Sequence, residues 1–167
     1  MAAVDMFLKL DGITGESQVK GHESEILISS YSLGSSNASS FNSRGGGSSA
    51  GKVSFQDIHF TKNVDKASPN LMLHCCNGKH ISTGILTLRK AGETPVDYLK
   101  LTLTDVLVSS YQTGGNGGGQ LPMEQVSFSF GKLEVEYKPQ RPDGSFDTSV
   151  LAGWDLKLNT AINPAIG

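Results

Sequence analysis

AGKVSFQDIHFTKNVDKASPNLMLHCCNGKHISTGILTLRKAG, residues Ala50–Gly92, decides the fold class. It reads as strand, helix, strand, with β-structure on both sides. Val53 to Phe60 has the apolar and aromatic content of a strand (Val53, Phe55, Ile58, Phe60). Ser68 followed by Pro69 marks a helix start. A hydroxyl can accept from an orphan N–H, and proline loses nothing at the first helical position. Leu71, Met72 and Cys75 predict the inward stripe of a short helix. Asn77-Gly78 ends it, because glycine takes the left-handed C′ conformation without strain. Ile81 to Leu88 extends again.

Working outward, Val4 to Leu10 alternates: Val4, Met6, Leu8 and Leu10 on one face, Asp5 and Lys9 on the other. Gly12 to Gly21 is a polar connection. Glu25 to Leu33 is a further strand. Leu27, Tyr31 and Leu33 share one parity, with Tyr31 and Leu33 expected in the core; Ile26, Ile28, Ser30 and Ser32 share the other. Asp97 to Tyr111 and Val126 to Tyr137 are long strands whose apolar set changes parity midway. The Val53 strand shifts too, between Phe55 and Ile58. A β-bulge is the ordinary cause, and Gly131 suits one. Such strands predict a strongly curved sheet, a barrel or two-sheet sandwich. Pro139–Gly144 is a rigid turn. Ser149 to Leu158 is the last strand, with Trp154, Leu156 and Leu158 on the core face, and a small-residue tail follows Asn159.

One domain fits 167 residues. Residues 35–51 and Thr113–Gly119 are too rich in serine and glycine to hold a core and predict flexible loops. Phe41 and Arg44 are the large groups of the first loop, hence its anchors if it docks. RGGGSSAGKVS lacks the phosphate-loop spacing and precedes a strand, which argues against nucleotide binding.

Composition excludes several classes. The formal charge of −2 makes no field for nucleic acid or anionic lipid. No stretch approaches the ~20 apolar residues of a membrane span, and Met1 to Leu10 lacks the basic and apolar regions of a signal peptide. Synthesis and folding in the cytoplasm are expected. Charged residues are 18%, against about 25% ordinarily, which fits either a partner-covered surface or simply the abundance of Gly and Ser. Cys75 and Cys76 are adjacent and unsuited to a mutual disulfide. With His74 and His80 they form HCCxxxH, which lacks metal-ligand spacing and reads as packing. His59, two residues from Asp57, reads as a core or interface histidine rather than a catalytic one. Glu134 and Glu136 read as a solvated or salt-bridged face. No catalytic constellation, metal site or cofactor is expected. Exposed strand edges would allow head-to-tail association.

Six pieces, in order, resemble the tube-forming hemolysin-coregulated proteins of the type VI secretion system. They are AVDMFLKLDGITGES (Ala3–Ser17), GKVSFQDIHFTKNVDKASPNLM (Gly51–Met72), LTLRKAG (Leu86–Gly92), YLKLTLTDVLVSSY (Tyr98–Tyr111), VEYKPQRPDG (Val135–Gly144) and GWDLKLN (Gly153–Asn159). The resemblance implies a mainly β fold: a compact β-barrel of two sheets with one short helix, about Pro69–Asn77, against its side, similar to phage tail-tube proteins. It implies homohexameric rings stacked into a tube, sheath and spike partners, effectors held in the lumen, and secretion without a signal peptide. On that reading Ser30 and Ser32 face the channel and its cargo. The Thr113–Gly119 and Ser29–Gly51 loops, the latter with Phe41, Asn42, Arg44, Gly45, Gly46 and Gly47, make ring-stacking or subunit contacts. The alternatives are a monomeric β-sandwich binding a small ligand or glycan, and an unrecognised hydrolase.

Overall fold

Each strand pairing is antiparallel in the computed structural model, which describes residues 4–38, 52–92 and 94–162. The strands are β1 (Val4–Leu10), β2 (Ile26–Ile28), β3 (Ser30–Ser32), β4 (Ser35–Asn37), β5 (Val53–Phe55) and β6 (Ile58–Asn63). After helix α1 (Ser68–Asn77) come β7 (Ile81–Lys90), β8 (Val96–Gly114), β9 (Met123–Tyr137), β10 (Val150–Asp155) and β11 (Thr160–Ile162). Nine strands form one sheet, and β4 and β5 form a two-stranded ribbon. The fold is therefore mostly β, with two sheets and one short helix.

The large sheet rolls up. β1 pairs β2 and β7, β7 pairs β8, β8 pairs β9, β9 pairs β6, and β6 pairs β3. β2 and β3 are consecutive, separated by Ser29, whose N–H donates to the Thr61 carbonyl at 2.8 Å. No single strand closes the circuit; the chain does so where β2 hands over to β3. Inside lie Leu8, Ile26, Phe60, Leu86, Leu103, Val106 and Phe128 with their neighbours. β10 and β11 extend the sheet from the second half of β9.

The handover at Ser29 corrects the expectation of one strand from Glu25 to Leu33, which is two, β2 and β3. Ile26 and Ile28 are buried and Leu27 is exposed. Beyond Ser29 the faces swap, and Tyr31 and Leu33 pack on the core as the sequence predicts.

The parity change of the long strands has another cause than a bulge at Gly131. β8 and β9 keep one register across it, with Thr104 opposite Lys132 and Val106 opposite Phe130. Asp105 thus faces Gly131, and its φ is 57°. A Cβ on Gly131 would lie 3.4 Å from that of Asp105, so the glycine lets the ribbon cross itself as both strands exchange faces. The irregularity in this ladder lies between Val108 and Ser110 instead. The Val53 shift is a break between strands: β5 belongs to the ribbon and β6 to the large sheet.

The helix ends at Gly78 (φ 66°), whose N–H donates to the His74 carbonyl. Its start differs from expectation. Ala67 is the N-cap, and Ser68 is the first helical residue with its side chain buried. Leu71 is buried, while Met72 is about half exposed. Trp154 is half-buried, and Leu158 is exposed in the turn that joins β10 to β11. Thr160–Ile162, read as the start of a tail, is the strand β11. Ser35–Asn37, read as loop, pairs with Val53–Phe55.

A small second core lies on the outer face of β1. Phe7, between the polar Asp5 and Lys9, is fully buried because the 12–25 connection folds over it. The His22 ring stacks on it, with centroids 4.4 Å apart and planes 2° from parallel. The His22 nitrogens meet the Glu25 and Asp97 carboxylates, and Arg89 donates to Asp97 at 2.8 Å. Burial pushes the Asp97 carboxyl up, but the bonds from Arg89 and His22 outweigh it and hold it below its ordinary value.

The connection fits only because residue 15 is glycine: a Cβ there would lie 2.4 Å from the Glu25 carbonyl oxygen. Gly15→Ala is expected to cost about 1–3 kcal/mol, as overpacking does. Gly92→Ala, which meets open space, should be neutral in the same urea titration.

Candidate functional site

Strands β3, β6, β9 and the end of β8 lie side by side, and their register builds a wall. Ser32 is opposite His59, His59 opposite Ser127, and Ser127 opposite Ser110. Two residues along, Ser30, Thr61, Gln125 and Gln112 form a second row. Directly paired residues share a sheet face. None of these eight residues is a carboxylate, an ammonium or a guanidinium. On the other half of the same β8–β9 ribbon the corresponding pairs are Lys100–Glu136 and Thr102–Glu134, so the charge is confined there.

The wall is braced from behind. Residues of opposite parity on β6 and β9 point inward, and there Lys62 meets Glu124, each about 1% exposed. Lys62 Nζ donates to Glu124, to Asp65 at 2.9 Å and to Ser68 Oγ at 3.3 Å. The Ser68 and Tyr111 hydroxyls each donate to the Glu124 carboxylate at 2.6 Å. The network ties β6, β8 and β9 to the first residue of α1. Burial raises the Glu124 carboxyl, but hydrogen bonds from Lys62, Ser68 and Tyr111 win, and its pKa is lowered. Burial, then the bond to Glu124, pushes the Tyr111 phenol up to about 12.

The wall contains both residues singled out from sequence, Ser30 and Ser32, and both are exposed. Phe41, Asn42, Arg44, Gly45, Gly46 and Gly47 lie outside the described residues. Sequence reasoning missed Thr61, Gln125, Ser127, Ser110 and Gln112. Their signal was there: they alternate with Phe60, Val126, Phe128 and Tyr111, so the polar set is the obverse of the aromatic one. It went unread because no single strand shows that the four sets align.

His59 is exposed, not a core residue. Its Nδ1 and Ser127 Oγ share a hydrogen bond of 2.5 Å. A Ser–His pair serves nucleophilic catalysis when a carboxylate orients the other ring nitrogen. Here Ser127 is the one hydrogen-bond partner of His59 among the described residues, and Ser127 is itself buried. His74 bonds the Asn70 carbonyl and His80 bonds Asp105. No cluster of three metal-ligating groups forms among the described residues.

A family model described as "Type VI secretion system effector, Hcp" matches residues 7–137. Protein hcp1 of Pseudomonas aeruginosa is 47% identical over 159 residues, covering 94% of this chain and 98% of its own. The chain belongs to the Hcp family of type VI secretion. Among solved structures, Hcp1 from Salmonella typhimurium is 37% identical with a TM-score of 0.79, covering 97% of this chain and 100% of that one. A structure described as a type six secretion system protein reaches a TM-score of 0.90 at 29% identity, over 96% of this chain and all of that one. An effector of the same system from Yersinia pestis is 33% identical with a TM-score of 0.74, over 90% and 99% of the two chains. Among the described residues of this Hcp protein, no helix is long and apolar enough to cross a membrane.

The brace behind the wall makes two predictions. Lys62→Met strands a buried carboxylate and should cost about 3–5 kcal/mol in urea denaturation, while Lys62→Met with Glu124→Leu recovers most of it. Because the folded Glu124 pKa is lowered, its contribution is full above about pH 4.5 and is lost as pH falls through the folded value. Acid titrations of wild type and Glu124→Gln should therefore converge at low pH.

Proposed function

We propose that this Hcp chain is the structural subunit of the type VI inner tube and performs no covalent chemistry. Six copies close a ring around a channel, and rings stack, with the loop after Thr113 among the contacts. Contraction of the surrounding sheath expels the tube with its spike, which takes the protein out of the cell. The two rows of the wall face the channel, where small effectors are carried and protected.

The observation that carries this reading is the eight-residue face without fixed charge, on a chain of this family. A conduit for varied cargo is served by hydroxyls and amides. They stay hydrated, make weak reversible hydrogen bonds, and neither trap nor repel a passing protein by charge. The charged half of the β8–β9 ribbon then lies away from the lumen. Trp154, the chain's single tryptophan, is half-buried, and no observation favours a glycan-binding reading over this one.

Size-exclusion chromatography with light scattering should return a mass near six times the 17.7 kDa chain, and negative-stain images should show annular particles. A persistent monomer would sink the proposal. Within the ring, Ser32→Gln replaces a small wall residue by a longer one. It should weaken cargo retention and leave assembly intact; loss of the ring would count against the channel assignment.

A further inference from the structure

The core-facing side of the sheet runs on past the core itself. One row of paired residues is Leu103, Leu133, Trp154 and Ala161, across β8, β9, β10 and β11. Burial fades along it: Leu103 is 0% exposed and Leu133 6%, Trp154 is half-buried, and Ala161 is exposed. The neighbouring row does the same, from buried Leu101 through half-buried Val135 to exposed Ala152. The strands β10 and β11 thus carry the core face outward as a flange. Between that flange and Leu33, Gly34 and Phe55 lies a groove of about 360 Å³. Trp154 lines it, and its Nε1 is shut from solvent with no hydrogen-bond partner among the described residues.

We propose that this groove seats a second copy of the chain and is one side of the contact between neighbours in a ring. The proposal rests on the ring reading above and names one of its surfaces. Two features require a polypeptide rather than a small molecule. The indole N–H needs an acceptor, because a buried donor left unpaired is costly, and a peptide carbonyl supplies one. In addition, β11 pairs only with β10 among the described residues. Its outer margin presents backbone groups that another chain can meet. A small apolar molecule would fill the groove and leave that margin open.

A copy of this chain also brings what the groove takes. Two grooves cannot fill each other, so the contact is head-to-tail and the copy supplies a different, projecting surface. Such surfaces are present: Leu27 is 50%, Leu73 51% and Leu121 68% exposed. Head-to-tail contacts repeated at a closing angle make a ring. On assembly Ala152 passes from solvent into the interface, and Trp154 acquires both cover and an acceptor.

Trp154 is the chain's single tryptophan, so its fluorescence reports on this groove alone. Light scattering distinguishes rings from subunits, and acrylamide quenching is measured on each. Ala152→Asp puts a carboxylate in the seat at a position exposed in the subunit. The variant should still unfold cooperatively in urea. It should assemble at least about tenfold more weakly, because a charge buried in an apolar seat is costly. Trp154 emission should be blue-shifted and poorly quenched in wild-type rings, and red-shifted and readily quenched in Ala152→Asp subunits. Wild-type rings dissociated by dilution give the same comparison without a substitution. Ala152→Asp rings as stable as wild type would overturn the seat. So would equal quenching of Trp154 in rings and subunits, the result if another segment of the same subunit or a small molecule covers the groove. A wild-type protein that stays monomeric, with no annular particles, overturns the ring reading instead and removes the basis of the seat.

Discussion

A lysine and a glutamate shut away from water govern one side of this fold. Lys62 and Glu124 sit directly opposite each other on β6 and β9, and neither can stay ionised there alone. Their mutual pairing, the Ser68 and Tyr111 hydroxyls and the Asp65 carboxylate make the site tolerable. Each partner comes from a different segment, so the network is satisfied in one arrangement of strands and helix. A slip of β6 against β9 by one residue would put the ammonium on the outer face and leave the carboxylate buried and unpaired. The pair therefore pins register more than it adds stability.

That register also builds the wall, which is the outer face of the same strands. Ser32, His59, Ser127 and Ser110 fall in one row only while β3, β6, β9 and β8 keep their alignment. Moving one strand by a residue would present Tyr31, Phe60 or Val126 in place of a hydroxyl or imidazole. Inward charge pairing and outward neutrality are two faces of one constraint.

The rolled sheet uses local devices to bury apolar groups on both sides of long strands. At Asp105 and Gly131 the β8–β9 ribbon crosses over with the same register on either side. The crossing divides it into a half with the polar wall outside and a half with Lys100, Glu134 and Glu136 outside. At Ser29 the chain passes from one neighbour to the other and completes the circuit. Each place lets one continuous stretch of chain serve two environments.

Periodicity and punctuation alone determined the β-rich class, the helix with its Asn77-Gly78 stop, and the phase changes of the long strands. These depend on interactions within a few residues. The family resemblance, spread over six pieces, brought Ser30 and Ser32 to notice. Tertiary structure decided everything that depends on alignment between distant segments. Ser68 read as a cap and became part of a buried network because Lys62 and Glu124, far apart in sequence, converge on it. Phe7 lay on a face marked polar by Asp5 and Lys9, and only the folded-over connection with His22 covers it. The wall is of the same kind: each strand shows an ordinary polar face, and pairing turns four such faces into one surface. Strand alternation tells which side a residue is on; which residues lie beside it is settled by hydrogen-bond register, a property of pairs of strands that no local pattern encodes.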